Sequence, residues 1–129
     1  MKKDKINREI IPSGTPGLRF KDGLVVAYEL ERSEILYIGH ETETTTDEEG
    51  NDIQQVRAFA FEVPKPITRA KAIDAAERAA YGLRDAGEVA SFNASLARKF
   101  RLGIDTEEVE EHDELIGWVK EELTRIGCL

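Results

Sequence analysis

The fold of this chain is decided by the stretch from Gln54 to Ala86, which reads QQVRAFAFEVPKPITRAKAIDAAERAAYGLRDA. Phenylalanine and valine recur through residues 53–63, and both residue types favour the pleated surface of a sheet. The Pro64–Pro66 segment ends this strand, because proline has no N–H to donate to a neighbouring strand. Thr68 then supplies a helix N-cap, and alanine and isoleucine recur after it at helical spacing. The stretch therefore predicts a strand, a break and a helix.

The residues before this stretch predict β structure. Alternating apolar runs between residues 18 and 63 indicate an antiparallel meander of three to four strands, with Asp22 and Gly23 as a hairpin turn. Residues 53–63 are apolar on both faces, which predicts that they form the central strand. Residues 1–17 are lysine-rich at first and turn-rich afterwards, so we expect a flexible N-terminal arm that is disordered or exchanged with a neighbour.

The residues after this stretch predict three helices. The first spans about residues 68–85 and ends near Gly87, and the second spans about residues 88–101. The third begins at Asp105, which has capping-box spacing to Glu108. The second helix is expected to bury a stripe made of Val89, Phe92, Leu96 and Phe100.

The third helix shows a longer apolar stripe, and Leu115 and Trp118 widen it. The residues of this stripe are Val109, His112, Ile116, Val119, Leu123 and Ile126. The predicted fold is therefore α+β, with an N-terminal antiparallel β-meander followed by three C-terminal helices. We expect a single domain over residues 18–129, with strands in about residues 18–63 and helices in about residues 68–126.

Composition excludes several classes of protein. The chain has 129 residues and a net charge of −8, which disfavours nucleic-acid binding because that affinity depends on neutralising phosphates. A run of about eighteen apolar residues is absent, so we expect no membrane-spanning helix. The single cysteine, Cys128, cannot form an internal disulfide, and we expect it to be an exposed and inert thiol. These features predict a cytoplasmic protein.

The charge alternates along the chain. Residues 1–23 carry a net charge of +3, residues 24–64 carry −8, residues 65–104 carry +4 and residues 105–129 carry −7. Opposite segments can neutralise each other within one molecule, or they can form complementary faces that set the register of an assembly. The sequence leaves both interpretations open.

The chemistry-bearing residues form no catalytic motif that we recognise. His40 lies among glutamates near a strand end, and His112 lies among carboxylates on the third helix, without the HExxH pattern of a zinc site. The acidic turn at residues 45–52 lacks the spacing of an EF-hand loop, although it contains the oxygen ligands Asp47, Glu49, Asn51 and Asp52. The candidate nucleophiles lie outside any Gly-x-Ser-x-Gly elbow: Ser13, Ser33, Ser91 and Ser95. We therefore expect no enzymatic activity, no cofactor and no metal.

Two groups of side chains are candidates for a protein interface. Trp118 lies toward the edge of the third helix, where it can anchor a partner or form the rim of the core. Basic residues crowd the last turn of the second helix, where they also complement the helix dipole. The full candidate set is Trp118, Leu115, Arg98, Lys99 and Arg101.

Residues 56–126 resemble short uncharacterised proteins carried by phages and prophages of gut Bacteroides-type bacteria. The resemblance is carried by the segments AFAFEVPKPITRAKAIDAAERAAYGL, EVASFNASLARKF and EHDELIGWVKEEL, with the pairs and triplets Phe92-Asn93 and Trp118-Val119-Lys120. It implies a phage accessory or structural-region protein linked to tail or virion assembly. It would also imply a virion-associated location and no enzymatic role.

The leading functional prediction is a non-enzymatic protein-interaction or assembly module that binds a protein partner or itself. It follows from the segmental charge, the N-terminal arm and the missing catalytic motif. The alternative is a small-molecule or metal-binding domain that uses the acidic turn or the residues around His112. A third hypothesis is an enzyme with an unrecognised site, which would require a deep pocket with convergent polar groups.

Overall fold

The computed structural model of the protein describes residues 5–12 and 14–128. It contains one antiparallel sheet, with the strand order β1-β5-β4-β3-β2, followed by three helices. This arrangement confirms the predicted α+β fold. The strands and helices are β1 (Glu9–Ile10), β2 (Leu18–Lys21), β3 (Leu24–Glu29), β4 (Ser33–Thr46), β5 (Asp52–Pro64), α1 (Arg69–Tyr81), α2 (Ala86–Leu102) and α3 (Thr106–Arg125).

Strands β2 to β5 form a four-stranded meander, as predicted, but β1 adds a fifth strand. The central strand is β4, so the assignment of residues 53–63 as the central strand was wrong. β5 is the second strand of the sheet, between β1 and β4, and the two residues of β1 cover only part of its outer edge. The Asp22-Gly23 turn is confirmed, since both residues have positive φ, 52° and 79°, as a two-residue hairpin turn requires.

The N-terminal segment is part of the domain over its described residues. Glu9 pairs with Ala58, and Ile6 is buried in the main core. The prediction of a loose arm is therefore corrected for residues 5–12, because the apolar side chain of Ile6 finds a place between the sheet and the helices. Residues 1–4 and Ser13 lie outside the described residues.

The core lies on one face of the sheet. α1 packs against β5, α3 packs against β4, and these two helices also pack against each other. α2 packs against α3 and forms an outer layer. The buried core residues are Ile6, Val26, Ala27, Leu36, Ile38, Phe59, Phe61, Val63, Ala72, Ala76, Leu115, Val119, Leu123 and Ile126.

The first helix begins as predicted and ends earlier than predicted. The Thr68 hydroxyl accepts a hydrogen bond from the Lys71 N–H at 3.2 Å, which confirms the N-cap. The helix ends at Gly82, whose φ of 68° gives a left-handed C-cap. Gly87 lies inside α2 instead, because the Asp85 carboxylate accepts from the Glu88 N–H and starts a new helix there.

The predicted capping box of the third helix is absent. Asp105 has a left-handed backbone with φ 47°, and its side chain makes no cap hydrogen bond. Instead, Lys99 of α2 forms ion pairs with both carboxylates of the predicted box. Its Nζ lies 3.9 Å from Asp105 Oδ2 and 2.7 Å from Glu108 Oε2. These carboxylates therefore join α2 to α3 rather than capping α3.

Strand β4 contains one extra residue in the middle of its pairing with β5. Ile38 pairs with Phe59 and Glu41 pairs with Arg57, so Gly39 and His40 form a β-bulge. Gly39 has a φ of 62°, and a Cβ atom at this position would lie 2.5 Å from Cζ2 of Trp118. The bulge therefore requires glycine for its backbone and for its contact with α3.

Replacing this glycine should destabilise the fold by a clash. We expect Gly39→Ala to lower the free energy of unfolding by about 3 kcal/mol, from the left-handed backbone and from overpacking against the indole. The matched control is Gly50→Ala, because Gly50 also has positive φ but has open space where the Cβ would be. Urea unfolding measures both. Equal losses for the two variants would contradict the role of the indole contact.

Candidate functional site

The β-bulge is the centre of a polar cluster between the sheet and α3, which we call the bulge cluster. The Gly39 N–H donates to Glu122 Oε1 at 2.7 Å, and the Gly39 carbonyl accepts from Arg8 Nε at 2.7 Å. The Arg8 guanidinium also lies over the Trp118 ring, 5.9 Å from its centroid. The members of the cluster are Arg8, Gly39, His40, Trp118, Glu122 and Arg125.

His40 is held in its neutral form within this cluster. Arg125 Nη2 lies 2.8 Å from His40 Nδ1, and arginine can only donate, so Nδ1 is the acceptor. His40 Nε2 therefore carries the proton and donates to the Val25 carbonyl at 2.7 Å. Burial lowers the pKa of His40 below its usual 6.5, and the charge of Arg125 lowers it further. Because both ring nitrogens are occupied, the geometry suits a structural link rather than a general base.

Glu122 completes the cluster as its anion. Burial alone would raise the pKa of Glu122, but hydrogen bonds from Arg125 and from the Gly39 N–H outweigh it, and the pKa is lowered. Arg125 donates to both carboxylate oxygens, at 2.8 Å and 3.0 Å. The bidentate pair fixes Arg125 so that it also reaches His40.

Acidification should weaken this cluster. His40 has a lower pKa in the folded state than its ordinary 6.5, so its contribution to stability is complete above pH 6.5 and is lost as the pH falls toward the folded pKa. The contribution of Glu122 is complete above 4.5 and is lost at lower pH still. We expect the free energy of unfolding, measured in urea at about pH 7.5 and about pH 5.5, to fall with acidification.

The matched variant for this measurement is His40→Gln, which keeps a polar side chain and removes the titration. The fall between the two pH values should be smaller in His40→Gln than in the natural protein. His112 is present in both proteins and cancels in the comparison. A fall of the same size in both would contradict the assignment of the pH dependence to His40.

A second buried pair joins α1 to α3. Glu77 is buried on α1, and its Oε1 lies 3.1 Å from Nε2 of His112. The His112 ring also packs against the rings of Tyr81 and Phe92, and the three ring centroids lie 4.5 Å to 5.7 Å apart. Burial raises the pKa of Tyr81 to about 12, so its hydroxyl stays neutral. His112 is thus the donor that satisfies a buried carboxylate.

The two candidate metal positions are occupied by protein contacts. His112 uses Nε2 for Glu77, and the Asp47 carboxylate of the acidic turn accepts from the N–H groups of Glu49 and Asn51. Among residues 5–12 and 14–128, no group of three or more His, Cys, Asp or Glu side chains comes together as metal ligands would.

Removing His112 should leave a buried carboxylate without its donor. We expect His112→Ala to lower the free energy of unfolding by about 3 kcal/mol, because removing one partner of a buried pair leaves the other charged group buried without compensation. Glu114→Ala is the control on the same helix, since that side chain is exposed, and it should change stability by less than about 0.5 kcal/mol. Thermal or urea unfolding distinguishes the two. Similar losses would show that the Glu77 contact contributes little.

The five predicted interface residues lie in different environments and do not form one surface. Leu115 is 1% exposed and lies in the core, so its prediction as an interface residue was wrong. Leu115 takes the place expected for Ile116, because Leu115, Val119 and Leu123 lie one turn apart on the face toward the sheet. Trp118 is half-buried and packs against the core. Arg98 and Arg101 are exposed on α2, and Lys99 pairs with Glu108.

Sequence reasoning missed an exposed apolar group beside those arginines. Phe100 was expected to be buried but is 73% exposed, and Leu102 and Ile104 are 55% and 51% exposed. Phe100 is uncovered because α3 contacts α2 through Leu96 and Val109, which are buried. It lies at a cleft of about 330 Å³ between the two helices. We call the group Arg98, Phe100, Arg101, Leu102 and Ile104 the α2 patch.

Three of the four candidate serine nucleophiles, and Cys128, lie within the described residues. The Ser33 hydroxyl donates to the Glu62 carboxylate, and Ser91 and Ser95 are exposed on α2. The sequence predicts an exposed Cys128, but this residue is partly buried against the core. Burial raises the pKa of the Cys128 thiol, which keeps it protonated at neutral pH.

Comparison with known proteins gives no relative from which to transfer a function. The chain matches no family model, and it shows no significant similarity to a curated protein or to a solved structure. Within the described part of the chain, none of the helices is long and apolar enough to cross a membrane.

Proposed function

We propose that the protein is a non-enzymatic assembly module that associates head to tail with copies of itself. The observation that carries this proposal is the α2 patch, where three large apolar side chains are exposed within residues 98–104, a segment that also carries two exposed arginines. An exposed apolar group of this kind is typical of a protein interface. Burying one phenylalanine stabilises a complex by about 2 kcal/mol.

The complementary surface is the tip of the β4–β5 hairpin. β3 pairs with β4 only from Glu34 to Leu36, so residues 41–46 and 52–56 continue beyond it as a two-stranded ribbon. With six residues in one strand and five in the other, this ribbon is about 17–20 Å long. Its exposed tip carries four carboxylates, those of Asp47, Glu48, Glu49 and Asp52.

Because their charges are opposite, the α2 patch of one copy of the chain is complementary to the acidic tip of a second copy. The acidic tip and the basic α2 patch belong to segments of opposite net charge, −8 and +4. A contact between two different surfaces of the same molecule leaves one of each free, so it can repeat to form a ring or a filament. Such repetition agrees with the assembly role implied by the resemblance to phage proteins. The small-molecule and metal alternative has no comparable observation among the described residues.

Charge reversal tests this proposal. One variant carries Arg98→Glu and Arg101→Glu, and the other carries Glu48→Lys and Glu49→Lys while Asp47 keeps its role in the turn. We expect the natural protein to self-associate at low salt, and we expect each variant alone to be monomeric through repulsion between like charges. An equimolar mixture should associate again, because each altered surface then meets an opposite charge. Light scattering after size exclusion measures the molar mass.

Two further measurements separate a specific contact from general attraction. Phe100→Ala in the mixture should weaken association by about thirtyfold, the equivalent of about 2 kcal/mol. Salt near 1 M should dissociate the natural assembly, because it shortens the screening length to about 3 Å. A natural protein that stays monomeric at every concentration and at low salt would overturn the proposal.

A further inference from the structure

The outer edge of β5 is open beyond the short strand β1. Glu9 and Ile10 pair with Ala58 and Arg57, and the Ile11 N–H donates to the Val56 carbonyl. Within the described residues, no strand pairs with this edge after Ala58. Over the described residues, this edge is therefore unpaired along nearly half of β5.

The direction of the free backbone groups follows from strand geometry. Since the Val56 carbonyl faces β1, and backbone groups alternate along a strand, those of Ala60 and Glu62 also face outward. Phe59, Phe61 and Val63 bear the backbone groups that face β4. Pro64 ends the open edge because it lacks an N–H. An added strand could thus pair with about three or four residues.

α1 turns this edge into a groove. A cleft of about 530 Å³ lies between β5 and α1, which is a volume typical of ligand sites. Its helical wall contains Ala75 and Ala79, whose small side chains leave room beside the strand. An additional strand would lie about 4.8 Å from β5, with alternate side chains directed toward this wall.

Charged side chains define the chemistry of the groove. Lys71 and Arg78 lie two turns apart along the helical wall. Asp74 and Glu62 also line the groove, but Asp74 lies 2.9 Å from Arg78 and Glu62 accepts from Ser33. The Arg78 Nε atom is buried beside Asp74, but the Arg78 side chain as a whole is 34% exposed. A carboxylate on an incoming segment can pair with the exposed part of the Arg78 guanidinium.

We propose that this groove binds an extended segment of another protein by β-strand addition, with small apolar side chains toward α1 and a carboxylate near Arg78. The segment would continue along the edge that β1 already occupies. A second copy of β5 is a poor occupant, because its inward side chains are already covered by its own α1. This site is separate from the α2 patch and from the acidic tip.

A designed peptide tests the proposal directly. The probe is a fluorescein-labelled hexapeptide with an amidated C-terminus, which alternates threonine and valine and ends in aspartate. The matched peptide has asparagine in place of the aspartate. We expect the aspartate peptide to bind with a Kd below about 1 mM, measured by fluorescence anisotropy, and to bind at least about tenfold more tightly than its match. Arg78→Gln should remove this difference between the peptides.

Variants of the edge and of the wall must both abolish binding. Ala60→Pro removes an outward N–H and leaves the pairing with β4 intact, because proline is tolerated at a strand edge. Ala79→Arg fills the groove from the helix and leaves the edge unchanged. Gln54→Pro is the control, since it makes the same change on the same edge outside the groove. Thermal unfolding checks that each variant is folded.

Hydrogen exchange gives the decisive pattern. The bound peptide should slow exchange of the Ala60 and Glu62 amides and leave those of Phe59 and Phe61 unchanged. Failure of the aspartate peptide to bind at about 1 mM, or binding that survives both Ala60→Pro and Ala79→Arg, would overturn the proposal. The charge-reversal variants of the α2 patch and of the tip should bind the peptide normally, so failure of the assembly proposal would be seen separately.

Discussion

The structure depends on the hydrogen bond between the Gly39 N–H and the Glu122 carboxylate. This bond joins residues 83 positions apart, and it ties the central strand to the last helix. It is possible only because the bulge turns the Gly39 N–H out of the pairing with β5. Arg125 then holds Glu122 and reaches His40, while Trp118 covers the glycine. A local irregularity in the sheet thus determines where α3 lies, and α3 in turn carries α2.

The surfaces of the two proposed contacts lie on three separate parts of the fold. The ribbon tip is acidic and extends away from the core, and the α2 patch lies on the outer helical layer. The groove beside β5 lies at the edge, where α1 covers the core face. Each place has its own chemistry, since the tip offers carboxylates, the patch offers apolar and cationic groups, and the groove offers backbone hydrogen bonds. These surfaces are compatible with simultaneous use.

Local rules predicted the secondary structure well and the packing less well. The Thr68 cap and the Asp22-Gly23 turn depend on neighbouring residues alone, and both were found. Gly39 inside the strand pattern of residues 35–44 is a local signal for a bulge, but the approach of Trp118 from α3 is a long-range contact that this pattern does not indicate. The exposure of Phe100 likewise depends on where α3 crosses α2. Helical spacing identifies an apolar stripe, but the partner helix decides which part of that stripe is covered.

The shallow attachment of α2 has a consequence for how binding and folding are coupled. Leu96 is the one residue that α2 buries among its 17, so opening this helix exposes far less apolar surface than opening the sheet. We therefore expect α2 to open locally at a lower free energy than the sheet. A partner that covers the helix stabilises its folded form by mass action. If the α2 patch binds a partner as proposed, we expect the Asp85 cap, which holds the first turn of α2, to affect the affinity of a surface that begins more than ten residues away.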